Sequence, residues 1–306
     1  MHTISLPEGI HLLERGWLSS NCFLLEDARA NVLIDTGYWT HSDQTTQWVS
    51  SVLGHRPLQK ILNTHLHSDH CGGNAALQSA YPMCETLVPP GHACHVFDWD
   101  PAALSYEPTG QHCPPFTASG VIQTGDRFDV AGMSWQAFAA PGHDPNSLIF
   151  YSPSHRLLIS ADALWENGFG VVFPELEGIA GFDEVANTLD LIESLDPLVV
   201  LPGHGQPFTD CTAALDRARS RLKMFRASPM KHANYASKVL LKYKLLELQQ
   251  VPLNDFHDWA ARCELLLLMH ETHFSSQSFR DWFHQLLSEL SKAKAAAVDD
   301  STVTNV

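Results

Sequence analysis

Six consecutive positions of this chain carry three imidazoles and one carboxylate, in the run Thr64-His65-Leu66-His67-Ser68-Asp69-His70-Cys71-Gly72-Gly73. The run follows the strand-like Lys60-Ile61-Leu62-Asn63, and its two glycines let the chain turn sharply into the next element. Groups this crowded compete and repel one another with nothing between them, whereas neutral imidazoles and carboxylates are suitable ligands for a divalent cation. The chain must therefore fold so that this loop faces a shared site, and the simplest occupant of that site is metal.

Other loops supply matching groups. Pro141-Gly142-His143-Asp144, Ser160-Ala161-Asp162 and Pro202-Gly203-His204-Gly205 each follow a strand-like stretch and place a His or Asp at its end. Short apolar segments with strand character begin near residues 22, 31, 60, 134, 147 and 156, and Pro197-Leu198-Val199-Val200-Leu201 reads the same way. Between them, Val185, Leu189, Ile192 and Leu195 share one helical face. Strands mixed with helices, with reactive residues at strand ends, imply a layered α/β sandwich in which loops distant in sequence gather at one edge. Seven residues are candidates for that edge: His65, His67, Asp69, His70, His143, Asp162 and His204. The other histidines of the eighteen, His2 and His232 among them, lack partners at ligand spacing and read as solvated or hydrogen-bonded residues. His92, His95 and His112 fall within a long loop and stand between the two cases.

The H-x-H-x-D-H run, followed by single His, Asp and His in dispersed loops, resembles the metallo-β-lactamase superfamily of metallo-hydrolases. Leu33-Ile34-Asp35-Thr36-Gly37 is similar to that family's first motif. The resemblance covers residues 5 to 210 and implies a four-layer αββα sandwich with a dinuclear metal site. By position, His65, His67 and His143 would hold one metal, Asp69, His70 and His204 the other, and Asp162 would bridge them. Zinc suits this nitrogen and oxygen set, as do iron and manganese. Two cations sharing a carboxylate can share a water acidic enough to give a hydroxide nucleophile near neutrality. Asp69 would orient that water, and Asp35 reads as a partner of the ligand loop rather than a ligand. No cysteine occupies the place of Asp162 or His204, unlike zinc β-lactamases with a cysteine ligand, and this argues against antibiotic hydrolysis.

After residue 211 strand signals vanish. Leu215, Ala218, Leu222 and Phe225 follow helical spacing, as do Phe256, Trp259, Cys263 and Leu266, and Phe279, Trp282, Leu286 and Leu290. The division expected is a catalytic domain over 1–210, a helical module over 211–293 similar to the winged-helix-like extension of some thioesterase and endoribonuclease members, and a disordered tail over 294–306. Residues 81–116 read as a long irregular insertion, either a surface loop packed down by its own aromatics or a wall or lid over the site. Its Trp99 and Tyr106, with Phe116, and the glycine- and aromatic-rich stretch carrying Trp165, Phe169 and Phe173, are expected to line a pocket for an apolar acyl group.

The substrate expected is a small ester or thioester, with an acyl-thioester favoured, by resemblance to hydroxyacylglutathione hydrolases and other thioesterases. The alternatives are a lactone, or a phosphodiester or RNA bound through the basic stretch 217–244. That stretch holds nine Lys or Arg and no acid within a chain of net charge −15, which points to an anionic partner or, as the plainer reading, to a solvated helix face lying against the acidic sandwich. Such overall acidity disfavours a general polyanion binder. The cysteine set, odd in number and without a C-x-x-C pair, fits a reducing cytoplasm. No apolar run approaches membrane-spanning length. Exposed aromatics in the helical module would offer a homodimer surface.

Overall fold

The computed structural model describes residues 4–306; His2 lies outside them. One sheet runs β1 (Ile10–Leu13), β2 (Cys22–Glu26), β3 (Asn31–Ile34), β4 (Lys60–Leu62), β5 (Glu85–Val88) and β6 (Gly120–Val121) in sequential order. Its first three strands pair antiparallel and the rest parallel. A second sheet holds β7 (Arg127–Val130), β8 (Met133–Ala139), β9 (Leu148–Ser152), β10 (Leu157–Ala161) and β11 (Val199–Pro202), with β11 parallel to β10 at the edge.

Strands buried on both faces read as unbroken apolar runs, and β3, β9 and β10 are buried at every position. Strand β8 is instead half-covered, burying Met133, Trp135 and Ala137 while Ser134 faces water. Between the sheets, Phe23, Ile34 and Leu62 interdigitate with Trp135, Phe150, Ile159 and Leu201. Outside the first sheet lie α1 (Ser42–Leu53) and, after the short α2 (Ser68–Cys71), α3 (Asn74–Ala80); Val49, Leu53 and Leu77 cover Leu24, Leu33 and Ile61. A short α4 (Ala93–Phe97) lies in the connection to β6.

Outside the second sheet, after the short α5 (Phe173–Leu176), α6 (Phe182–Leu195) and α7 (Cys211–Ala227) place Val185, Leu189, Ala214 and Ala218 on Ile149, Leu158 and Val200. The result is a four-layer αββα sandwich. Helix α7 is thus an outer layer of the sandwich, where a boundary at 211 would have assigned it to the helical module. Asp210 caps it, its carboxylate accepting from Ala213 N–H at 3.1 Å.

The rest of the chain packs around a core of its own. Helices α8 (Pro229–Leu248), α9 (Leu253–Ala260), α10 (Glu264–Met269) and α11 (Phe279–Lys292) bury Leu241, Phe256, Leu266, Trp282 and Phe283 together. Val171 and Leu176 join this cluster, which ties the module to the segment after β10.

Two expectations change here. Residues 294–306 do not form a disordered tail: β13 (Ala296–Val298) and β14 (Thr302–Asn305) make a three-stranded sheet with β12 (Gln250–Pro252). Val303 is buried opposite Val251, and Lys242 Nζ donates to Ala295 O at 2.6 Å and Val306 O at 3.0 Å. The insertion over 81–116 is not irregular throughout, since β5 extends the parallel sheet and α4 follows it. No helix among the described residues is long and apolar enough to cross a membrane.

The basic stretch is largely engaged within the fold. Arg219 pairs with Asp190 (2.7 Å) and Glu193 (2.8 Å), Arg226 with Asp183, Lys238 with Glu289 (2.9 Å) and Lys244 with Glu247 (2.7 Å). Arg217 donates to Glu166 O at 2.7 Å, and Arg221 lies over the Tyr235 ring. Each exposed pair adds about 0–1 kcal/mol; their larger effect is to neutralise charge that would otherwise face an anion.

Candidate metal centre

Strand β4 delivers His65 and His67 to the sandwich edge, and the turn into α2 adds Asp69 and His70. The turn is tight because Gly72 lies against backbone: a Cβ there would sit 2.5 Å from Ser68 O and 2.6 Å from Trp39 N. The loop after β3 braces it from beside. Asp35, held at φ 56°, accepts from Thr64 N–H at 2.9 Å and Thr64 Oγ1–H at 2.7 Å, and its Oδ2 lies 2.7 Å from His70 Nδ1. That bond fixes the His70 tautomer and leaves Nε2 facing the site, buried and without a hydrogen-bond partner among the described residues.

His143 arrives on the loop after β8. Gly142, at φ 138°, passes so close to α6 that a Cβ would meet Val185 Cγ2 at 2.5 Å. His143 Nδ1–H donates to Val171 O at 2.5 Å, turning Nε2 inward. Asp162 follows β10 and His204 follows β11, so four strand ends converge.

Two groups of side chains result, each able to hold a metal ion: His65, His67 and His143, and Asp69, His70, Asp162 and His204. In the first, His67 Nδ1 lies 3.1 Å from His65 Nε2 and 2.8 Å from His143 Nε2. A tetrahedral site with bonds of about 2.0–2.1 Å to nitrogen has ligand atoms about 3.3 Å apart, so these separations fit a single cation. In the second, His204 Nε2 lies 3.0 Å from Asp69 Oδ2, and His70 Nε2 is 3.4 Å from Asp162 Oδ1. Asp162 stands between the groups, its Oδ2 3.4 Å from His143 Nε2 and 3.7 Å from His204 Nε2.

The electrostatics agree with that fit. Burial, reinforced by the neighbouring imidazoles, pushes His65 well below the ordinary histidine value and His67 down to about 4, which keeps both as neutral, ligand-ready rings. Burial acts in the same sense on His70, but Asp162, Asp35 and Asp69 outweigh it and hold the ring well above the usual value. Burial would raise Asp69 and Asp162, yet His70 and His204 draw both down, Asp162 furthest. Carboxylates concentrated here require positive charge, which a divalent cation would supply in place of a proton on His70.

The centre opens into a small cavity of about 100 Å³ walled mostly by apolar groups. Trp165 and Phe173 line it, and Trp165 Nε1–H donates to Asp162 Oδ1 at 3.2 Å. Trp99, Tyr106 and Phe169 do not line it. Trp99, Tyr106 and Phe116 pack together beneath the ligand loop, where Tyr106 Oη donates to Leu66 O at 2.9 Å, and Phe169 is buried in the core under α7. Aromatic content in a loop does not separate lining from packing. From the insertion it is Ser105, Thr109 and Gln111 that reach the cavity.

Several lining residues escaped the sequence reading. Tyr235, Val239 and Tyr243 are spaced four apart on α8 and turn one stripe toward the site, with Tyr243 Oη 3.3 Å from Ser68 Oγ. Trp17, 56% exposed, stacks on His204 with centroids 5.3 Å apart and planes 9° from parallel. The stripe is visible in sequence as an apolar and aromatic i, i+4, i+8 pattern; the exposed indole gives no such signal.

The family described as the metallo-beta-lactamase superfamily matches residues 15–204. A hydroxyacylglutathione hydrolase of Brucella anthropi is 26% identical over 224 residues, covering 68% of this chain and 72% of that protein. A lactamase-like protein of Neosartorya fischeri is 25% identical over 219 residues, covering 69% of this chain and 54% of that protein, so the chain spans about half the length of this relative. Among solved structures, a metallo-beta-lactamase family protein of Thermus thermophilus has a TM-score of 0.59 at 18% identity and covers 99% of this chain and 100% of its own. A class B3 di-zinc metallo-beta-lactamase from an Alaskan soil metagenome has a TM-score of 0.55 at 18% identity, covering 72% of this chain and 92% of its own. At such identities the two structures speak to the fold alone.

Proposed function

The chain belongs to the metallo-beta-lactamase superfamily and is a metallo-hydrolase of it, and from that premise we propose that it hydrolyses a small apolar acyl thioester with two divalent cations, zinc foremost. One observation carries the reading: a seven-residue His and Asp cluster, with Asp162 between its two halves, opens directly into a small apolar cavity.

Bound by these groups, the two cations would supply an activated water and draw charge from the carbonyl oxygen. Asp69 Oδ2, at the cavity wall beside His204 Nε2, is the carboxylate placed to take a proton from that water. Asp35 and the Val171 carbonyl fix the rings of His70 and His143, so the donor atoms need no rearrangement during the reaction. Val171, Phe173, Val239 and Leu240 give the acyl chain an apolar wall and exclude bulk water.

The name of the Brucella relative describes an acyl group carried on a thiol, which supports a thioester here. Pairing of the basic stretch within the fold removes the main argument for a phosphodiester or RNA substrate. The cysteine spacing supports a cytoplasmic setting.

The test is thiol release from acetyl to octanoyl thioesters of N-acetylcysteamine by zinc-loaded protein. Release that is lost on chelation and in Asp69→Ala supports the reading. Silence across the series, with metal bound, overturns it in favour of lactones or phosphodiesters.

A further inference from the structure

A second chamber of about 560 Å³ adjoins the metal centre and shares His67, Ser105, Thr109 and Phe173 with the first cavity. The two spaces meet at His67, whose Nδ1 faces His65 and His143 while its Nε2 lies 3.8 Å from Asp144 Oδ2 in the second chamber. A carbonyl at the centre would therefore extend one arm into each space. The first is small and walled by aromatic and aliphatic groups, which suits the acyl chain; the second is larger and differently charged.

Prolines, alanines and Ile179 form much of the second chamber, and its ionisable groups are His67, His92, Asp144, Glu177 and Glu184. Three are carboxylates, and among the described residues no Lys or Arg lines either space. Asp144 is buried and anchored by Asn146 N–H, which donates to its Oδ1 at 2.7 Å, so Oδ2 is directed between His67 and His92. Glu177 and Glu184 are exposed at the rim, on the turn after α5 and the first turn of α6. Arg219 and Arg226 of α7 are held in ion pairs with Asp190, Glu193 and Asp183 of α6. A cleft lined by one sign of charge concentrates ligands of the opposite sign and repels its own.

We propose that this chamber seats the leaving arm of the substrate and selects an ammonium-bearing arm over a carboxylate-bearing one. The inference rests on the thioester reading above. In that reaction water adds to the acyl carbon, the C–S bond breaks, and the products are a carboxylic acid in the small cavity and a thiol in the chamber, the thiol sulfur retaining the bonding pair and a proton from water. Handles bearing carboxylates or phosphates would meet Asp144, Glu177 and Glu184 with no Lys or Arg in the lining to balance them.

The thiol product provides a test that needs no turnover. Calorimetric titration of the zinc-loaded full chain with thiocholine and with 3-mercaptopropionate compares a cationic and an anionic arm of similar length. The expected result is thiocholine binding about tenfold tighter at low salt, the ratio shrinking as salt is added. Glu177→Gln combined with Glu184→Gln, both at exposed positions, is expected to remove most of the ratio. Equal affinities, tighter 3-mercaptopropionate, absence of binding by either thiol, or a ratio unchanged in the double variant would each overturn the proposal. Discrimination between the thiols in a protein that hydrolyses no thioester would leave the chamber assigned and sink the proposed function; turnover without discrimination would do the reverse.

Discussion

Asp35 Oδ2 lies 2.7 Å from His70 Nδ1, with both residues buried, so a carboxylate outside the candidate ligand set decides which nitrogen of a candidate ligand faces the site. The same carboxylate binds the backbone and hydroxyl of Thr64, joining the strand-end loops of β3 and β4.

Asp35→Asn removes that charge while preserving shape, and asparagine tolerates the positive φ that Asp35 adopts. The variant is expected to fold, with metal affinity lowered about 10–100-fold. A competitive zinc titration against a chromogenic chelator checks this, with circular dichroism reporting the fold. Unchanged affinity would show that Asp35 only joins the loops.

Val239 stands midway along the α8 stripe, between Tyr235 and Tyr243, at the wall of the small cavity. Val239→Phe is expected to fill part of that space and shorten the accepted acyl chain. The kcat/KM for an octanoyl thioester should fall about tenfold while the acetyl value changes less than about twofold. A uniform loss across chain lengths would place the acyl group elsewhere.

His232 is buried, and its Nε2 accepts from Val172 N–H at 3.2 Å, next to the carbonyl that holds His143. Burial, with a contribution from His273, lowers its pKa to about 4. The unfolded chain, with an ordinary value near 6.5, takes up a proton that the folded chain refuses. Stability from this residue is therefore complete above about pH 6.5 and lost as pH falls toward 4, a change on the order of 3 kcal/mol. Urea unfolding across that range, compared with His232→Gln, measures it. The variant should lose less stability between those limits, and parallel curves would refute the assignment.

The seven clustered side chains were legible in sequence because four share one six-residue run after β4 and the other three follow β8, β10 and β11, where short apolar runs stop at polar loops. The layers were legible for the same reason, as in the unbroken Val32-Leu33-Ile34 and Leu157-Leu158-Ile159 runs. The lining was less so. Phe169 and Phe173 lie four residues apart in one glycine-rich stretch, yet only Phe173 reaches the cavity, and nothing in composition separates them. Residues 294–306 have no broad apolar face, but Val303, flanked by β-branched threonines, is buried together with Ala296 once β12 is there to pair with β14. The basic stretch reads either as an anion site or, more plainly, as a helix face lying against acidic groups, and the partners contributed by α6 and α11 favour the second.

A two-cation centre with Asp162 as the shared carboxylate is tested most directly by metal content per chain after zinc loading and removal of excess. Two zinc ions per wild-type chain, falling to one or fewer in Asp162→Ala with the fold retained, is the predicted result. One or no zinc in the wild-type protein, or two in Asp162→Ala, would contradict it.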